Sequence, residues 1–124
     1  MERKIVFRGK NRYRKEWLYG NLVQYKDGSL SIDGVPVESD SVGQFTGLLD
    51  KNGKEIYEGD RVNVFQAERN FDIVVKWSNE AMAFMACYAD RKQSPFSWFT
   101  NLRIYQLTVI GNIHDNPSLI SDKQ

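Results

Sequence analysis

Cysteine and histidine each occur once in the 124 residues, as Cys87 and His114, and proline occurs three times. A lone cysteine closes no internal disulfide and by itself builds no structural zinc site, so a secreted disulfide scaffold is excluded and a reducing compartment is expected. Charge of one sign is also missing: 17 Lys and Arg against 16 Asp and Glu leave a formal net charge of +1. No apolar run approaches the roughly 18 residues of a membrane span. The start, from Met1 to Gly9, turns polar before a signal-peptide core forms, so a cytoplasmic protein with no membrane partner is expected. With 41% apolar residues, the chain has enough to bury for one compact domain or two half-domains sharing a core.

What is present is alternation punctuated by turn residues. Trp17, Tyr19, Val23 and Tyr25 lie on one face of an extended segment, and Asp27-Gly28 follows before Leu30 and Ile32 resume the pattern. This predicts a β-hairpin whose two-residue reversal exploits the freedom of glycine at positive φ. Asp33-Gly34 repeats the signal, and Pro36 marks an edge or irregular segment. Further on, Val62 and Val64 share a face, and a polar loop of about five residues is expected before Phe71. Phe71, Ile73, Val75 and Trp77 then alternate with Asp72, Val74 and Lys76, a pattern that a helix would scatter around its circumference. Met82, Phe84, Ala86 and Tyr88 continue as a strand after a Ser78-Asn79-Glu80 turn, with a short helix as the alternative that the alanine and methionine content allows. Ser94 is placed as the N-cap of a helical turn with Pro95 at its first position, ending near Asn101. Leu107 to Gly111 closes as a strand, and His114 to Pro117 reads as a turn before a frayed tail. Short strands at such intervals favour a small closed barrel or sandwich from about Leu48 to Ile113, with a soft boundary near Thr46.

No motif specifies a reaction. Asp50-Lys51-Asn52-Gly53-Lys54 fails the calcium-loop pattern, because Lys54 stands where an oxygen ligand belongs and the glycine comes too early. Asn52-Gly53 is a tight reversal instead. Glu58-Gly59-Asp60 carries paired carboxylates without a third catalytic group nearby. Gly59 is read as a turn residue and Asp60 as an acceptor for N–H groups at a strand start. His114 sits among turn residues, and Cys87 sits in an apolar stretch where a thiol behaves as a small hydrophobe. No phosphate-cradling glycine spacing occurs. Catalytic residues, metal sites and cofactors are accordingly not expected. The opening stretch is richer: Arg3, Lys4, Arg8, Lys10, Arg12, Arg14 and Lys15 are opposed only by Glu2 and Glu16, with Tyr13 and Trp17 interleaved. Such a stretch can touch phosphates and stack bases, or dock on an acidic protein surface. Its candidate nucleic-acid contacts are the seven cations and Trp17.

Three blocks carry a resemblance. Gln44 to Asp60, read as one unit, resembles the signature of the YopX family of phage and prophage proteins. Val109-Ile110-Gly111-Asn112-Ile113-His114-Asp115-Asn116-Pro117 resembles that family's closing segment, and Ile5-Val6-Phe7-Arg8-Gly9-Lys10 its opening one, with Gly9 where alanine is expected. Between about Val62 and Leu107 only the strand pattern matches. The resemblance implies an intracellular protein of phage or prophage origin with no established activity, so no functional positions carry over. Asn52, Gly53, Gly59, Asp60 and Gly111 are turn-keepers in this reading. The expected architecture is mainly β, α+β overall. An N-terminal α+β part containing the hairpin, residues 1–46, packs on a C-terminal SH3-like small β-barrel with a short tail, residues 47–124. The expected role is a non-enzymatic binding or assembly module, whose partner is a further copy of itself or another phage or host protein. The alternative is a nucleic-acid-binding module using the basic stretch.

Overall fold

A computed structural model describes residues 3–115. These residues form twelve strands and two 3₁₀ turns, without an α-helix among them. They divide into two compact units, one ending at Gly47 and the other beginning at Leu48. Asn116, Pro117 and the tail lie outside the described residues, and with them the end of the expected closing turn.

In the first unit, β1 (Phe7–Lys10) and β2 (Trp17–Gly20) pair antiparallel with Lys10 opposite Trp17, and β6 (Gly43–Leu49) pairs with the other edge of β1. A three-stranded antiparallel meander follows β2: β3 (Leu22–Gln24), β4 (Leu30–Ile32) and β5 (Val35–Val37). Pro36 sits on the outer strand of that meander, where its missing donor is tolerated. The α+β character expected here is not found. Among the unit's described residues one 3₁₀ turn, Ser39–Ser41, is the only helical element, because breaks every few residues leave no window for an amphipathic helix. The extended segment from Trp17 to Tyr25 is also interrupted. The Asn21 N–H donates to the Asp33 carboxylate and the Asp33 N–H to the Asn21 carbonyl, each at 3.1 Å, and a Cβ at Gly20 would meet that same carboxylate. Asp33-Gly34 forms the two-residue reversal, with φ of 49° and 84°. Asp27-Gly28 does not: Tyr25 N–H donates to Ser29 O at 2.9 Å around a longer loop, with Gly28 at φ 88°. Gly9 is packed closely, since a Cβ there would lie 3.1 Å from Val37 Cβ and 3.2 Å from Ile32 Cδ1. The alanine expected at that position has little room.

The second unit holds β7 (Glu55–Tyr57), β8 (Asp60–Gln66), β9 (Arg69–Ser78), β10 (Ala83–Cys87), β11 (Gln93–Pro95), a 3₁₀ turn (Phe96–Phe99) and β12 (Gln106–Asn112). Five of these strands make one antiparallel sheet in the order β11-β10-β9-β8-β12. Alternation decides its two faces. Val62, Val64, Ile73, Val75, Ala86 and Leu107 enter one core with Ile56 and with Phe96 and Phe99 of the 3₁₀ turn. The sheet is open, with β11 and β12 as its edges, so the expected barrel closure is not observed. Physical cause lies in β11: it is three residues long, and Pro95 withholds a donor before the chain bends into the 3₁₀ turn. Ser94 is buried within β11, so Pro95, not Ser94, stands at the cap position of that turn. The five-residue polar loop expected before Phe71 is only Ala67-Glu68, and β9 starts at Arg69. No helix of the described residues is long and apolar enough to cross a membrane.

Candidate functional site

The turn-keepers are distributed through the second unit. Asp50, buried and ahead of β7, is the residue whose role the sequence pattern left unread. Its Oδ1 accepts the N–H groups of Asn52 and Lys54, each at 2.9 Å, and its Oδ2 accepts the Val109 N–H of β12 at 3.0 Å. Burial pushes the carboxyl up, but the main-chain donors of Val109, Lys54 and Asn52, with the Lys54 charge, outweigh it and leave the pKa below the ordinary carboxylate value. Gly53 takes φ 82° in this turn. Asp60 is buried and accepts the Tyr57 N–H at 2.8 Å, across Gly59 at φ 93°. Gly111 follows a register shift in the β8–β12 pair. His114 N–H donates to Asn112 Oδ1. The described residues hold no group of three or more His, Cys, Asp or Glu side chains placed to share a metal. Cys87 is half-buried, and burial pushes its thiol up against the opposing pull of Lys76.

The basic stretch does not form one uniform surface. Arg8 is buried, its guanidinium 4.7 Å from the centre of the Trp17 ring, and the Lys10 ammonium lies 5.5 Å from that ring. Trp17 is therefore engaged by cations of its own unit. Lys4 stands over Phe45, and Lys15 is ion-paired with Glu38, whose carboxyl it holds below the usual range. Arg3, Arg12 and Arg14 are exposed, the last two flanking Tyr13, which is 75% exposed. Arg12, Tyr13 and Arg14 form the tip of the β1–β2 turn, which is capped by Asn11 Oδ1 accepting the N–H groups of Tyr13 and Arg14.

A groove of about 660 Å³ opens on the second unit, lined by Asn63, Arg69, Asn70, Phe71, Asp72, Tyr88, Ala89 and Asp90. It arises from unequal strand lengths. The β9–β10 register ends at Val74 opposite Cys87, while β9 runs on to Arg69 against β8. Beyond Cys87 the chain turns at Ala89-Asp90, and Tyr88 N–H donates to Lys92 O at 2.9 Å to close the loop between β10 and β11. Phe71 and Tyr88 contribute tilted rings 5.9 Å apart, and the Tyr88 hydroxyl shares a hydrogen bond with Ser94 Oγ. On the adjoining face, Asn63 Nδ2 donates to Asn70 Oδ1 and, at 2.9 Å, to Asp72 Oδ1. Behind Asp72 stands Arg61, 1% exposed, with Nη2 3.7 Å from Asp72 Oδ2 and no hydrogen bond from its guanidinium to protein. A buried guanidinium so placed depends on the carboxylate for its charge balance.

Both turns framing this groove are unusual. Ala67 and Glu68 adopt φ of 48° and 68°, and Arg91 adopts 71°, in the left-handed region that glycine or asparagine fills at little cost. Among the described residues, Lys15, Asp33 and Met82 are the other non-glycine residues there. A second groove, of about 460 Å³, borders the β9–β10 turn and is lined in part by Lys76, Trp77 and Glu80. Glu58, Asp60 and His114 line neither groove. The groove residues escaped sequence reading because each one reads as an ordinary strand or turn position. The Ala67-Glu68 reversal gave no signal either, because it contains neither glycine nor asparagine.

A mainly β protein of two small units, one offering a groove beside a long central strand, is the class these features define. The family profile of the YopX protein matches residues 6–121, and the chain belongs to that family. Its fold is similar to the crystal structure of protein EF1440 from Enterococcus faecalis, at 26% identity and a TM-score of 0.60, over 96% of this chain and 99% of that one. No curated protein sequence matches the chain.

Proposed function

We propose that this YopX-family protein is a non-enzymatic, cytoplasmic protein-binding module of phage or prophage origin, and that the groove bounded by Phe71, Asp72, Tyr88 and Asp90 holds its partner, another phage or host protein or a further copy of itself. The observation that carries the reading is the pairing of that groove with costly turns: Ala67, Glu68 and Arg91 frame it in conformations their side chains disfavour. Left-handed non-glycine residues cluster where function constrains the backbone. An SH3-like reading of the second unit has support in the β8–β11 meander, the 3₁₀ turn after it and the return of β12 beside β8. Placing a photo-crosslinking amino acid at exposed Ala89, and at exposed Asn101 as control, tests the proposal. Protein adducts formed at position 89 and absent at 101 are expected; equal labelling at both positions would overturn it.

A second reading rests on Tyr13, exposed between Arg12 and Arg14. Nucleic acid would then be gripped by a small cation–aromatic tip. Retention on single-stranded DNA should fall steeply with salt and be lost in the Arg12→Ala/Tyr13→Ala/Arg14→Ala variant. No retention at low salt removes this reading.

A further inference from the structure

We infer that the groove takes its partner as an added β-strand: a short extended peptide lies along the Arg69–Asp72 stretch of β9, in the lane that β10 vacates, and alternates basic with apolar side chains. The inference rests on the protein-binding reading above and states what kind of segment is bound. The argument begins with register. Gln66 and Arg69 close the two-residue β8–β9 reversal, and in such a hairpin the closing pair exchanges its N–H and C=O bonds. Antiparallel pairing then alternates, so Arg69, Phe71 and Ile73 direct their main-chain groups to β8, while those of Asn70 point away from β8 toward the groove. On that side β10 supplies partners only as far as Cys87 opposite Val74. By the same alternation Tyr88 directs its N–H and C=O away from β9, to Lys92 O and from Arg91 N–H, and the chain turns at Ala89-Asp90, so β10 offers no partner beyond Cys87. A sheet edge of this kind, with a groove running along it, is the geometry of strand addition, in which main-chain bonds supply affinity and alternate side chains supply specificity.

The pleat then dictates the ligand's pattern. Side chains of an added strand project alternately to the two faces of the sheet. One set meets Asn70 and Asp72, whose carboxylate lies between the buried Arg61 guanidinium and the groove. The other set meets the half-exposed rings of Phe71 and Tyr88. Asp90 adds a second carboxylate to the lining, and Arg69 is its one cation. Basic residues suit the first face and apolar residues the second.

Fluorescence anisotropy with three labelled peptides tests this on the whole chain: one alternating lysine with valine, one of the same composition with its lysines and valines in separate blocks, and one alternating but N-methylated at every second amide. The alternating peptide should bind at least about tenfold more tightly than either control, the scale of one or two lost hydrogen bonds. Asn70→Pro should weaken it by about tenfold, because proline occupies the edge without offering its N–H, whereas Asn70→Ala should change binding less than about threefold. Asp90→Lys should weaken the lysine peptide and favour a glutamate counterpart. Equal binding of the alternating and N-methylated peptides would overturn the added strand, and that comparison decides the matter even if Asn70→Pro fails to fold. Crosslinking of protein through position 89 together with no preference among the peptides would retain the binding module and discard strand addition. Failure of both would remove both.

Discussion

The turn at Asp50–Lys54 and the turn at Tyr88–Lys92 follow one backbone path with opposite residue choices. In each, the first N–H donates to the carbonyl four residues on, at 2.8 Å and 2.9 Å, and the fourth residue's N–H returns to the first carbonyl, at 3.0 Å and 2.9 Å. The left-handed residue is Gly53 in one and Arg91 in the other. Around the first, an aspartate saturates its oxygens with main-chain donors; beside the second, the Asp72 carboxylate is shared among Asn63, Arg61 and the groove. One corner is built for stability, and the other carries side chains that stability alone does not select.

Perturbing the acids should break this contrast most strongly. Asp72→Ala leaves the buried Arg61 guanidinium uncompensated and should lower unfolding free energy by about 3–5 kcal/mol in urea titrations. Adding Arg61→Met to that variant should restore most of the loss, and an unrestored double variant would show that the pair is not what fixes Arg61. Asp50→Ala should cost about 2–3 kcal/mol through its lost charged hydrogen bonds. Its pH signature has a definite sign. The folded pKa lies below the ordinary 3.8, so the contribution is complete above that value and disappears as pH falls through the folded pKa. Wild type should therefore lose stability relative to Asp50→Ala only as pH falls below about 4, read as urea midpoints that are well separated at neutral pH and converge in acid.

Exchanging the turn residues sharpens the comparison at smaller scale. Gly53→Arg should destabilise by about 1 kcal/mol, while Arg91→Gly and the pair Ala67→Asn/Glu68→Gly should each stabilise by about 0.5–1 kcal/mol, measured as melting shifts. Weaker crosslinking at position 89 in the stabilised variants would tie the strain to binding. The least effect is expected at Cys87, whose raised pKa should make it alkylate more slowly at pH 8 than a free small thiol, without change in melting temperature.

How far the residues disclosed all this depended on range. The Phe71–Trp77 alternation announced β9, and Asp33-Gly34 announced its reversal, because both signals are local. The hairpin at Asp27-Gly28 was legible in kind but not in length, since Gly28 serves a three-residue loop as well as a two-residue one. Ala67-Glu68 concealed a tight turn because neither residue favours positive φ. The expected α+β character of the first unit failed because breaks every few residues leave no room for an amphipathic helix, and barrel closure failed where Pro95 ends β11. The groove was invisible in principle, because it is a difference between the lengths of two registers. Asp50 looked like local punctuation, and its bond to Val109 spans 59 positions of chain.

That last bond has a consequence for synthesis. A ribosome delivers β12 after every other strand of the second unit, yet β12 supplies both the outer neighbour of β8 and the donor that completes the Asp50 corner. Until Val109 emerges from the exit tunnel, Asp50 Oδ2 lacks its main-chain donor and the outer side of β8 lacks its neighbour, so the corner and the sheet are completed together, at the end of translation.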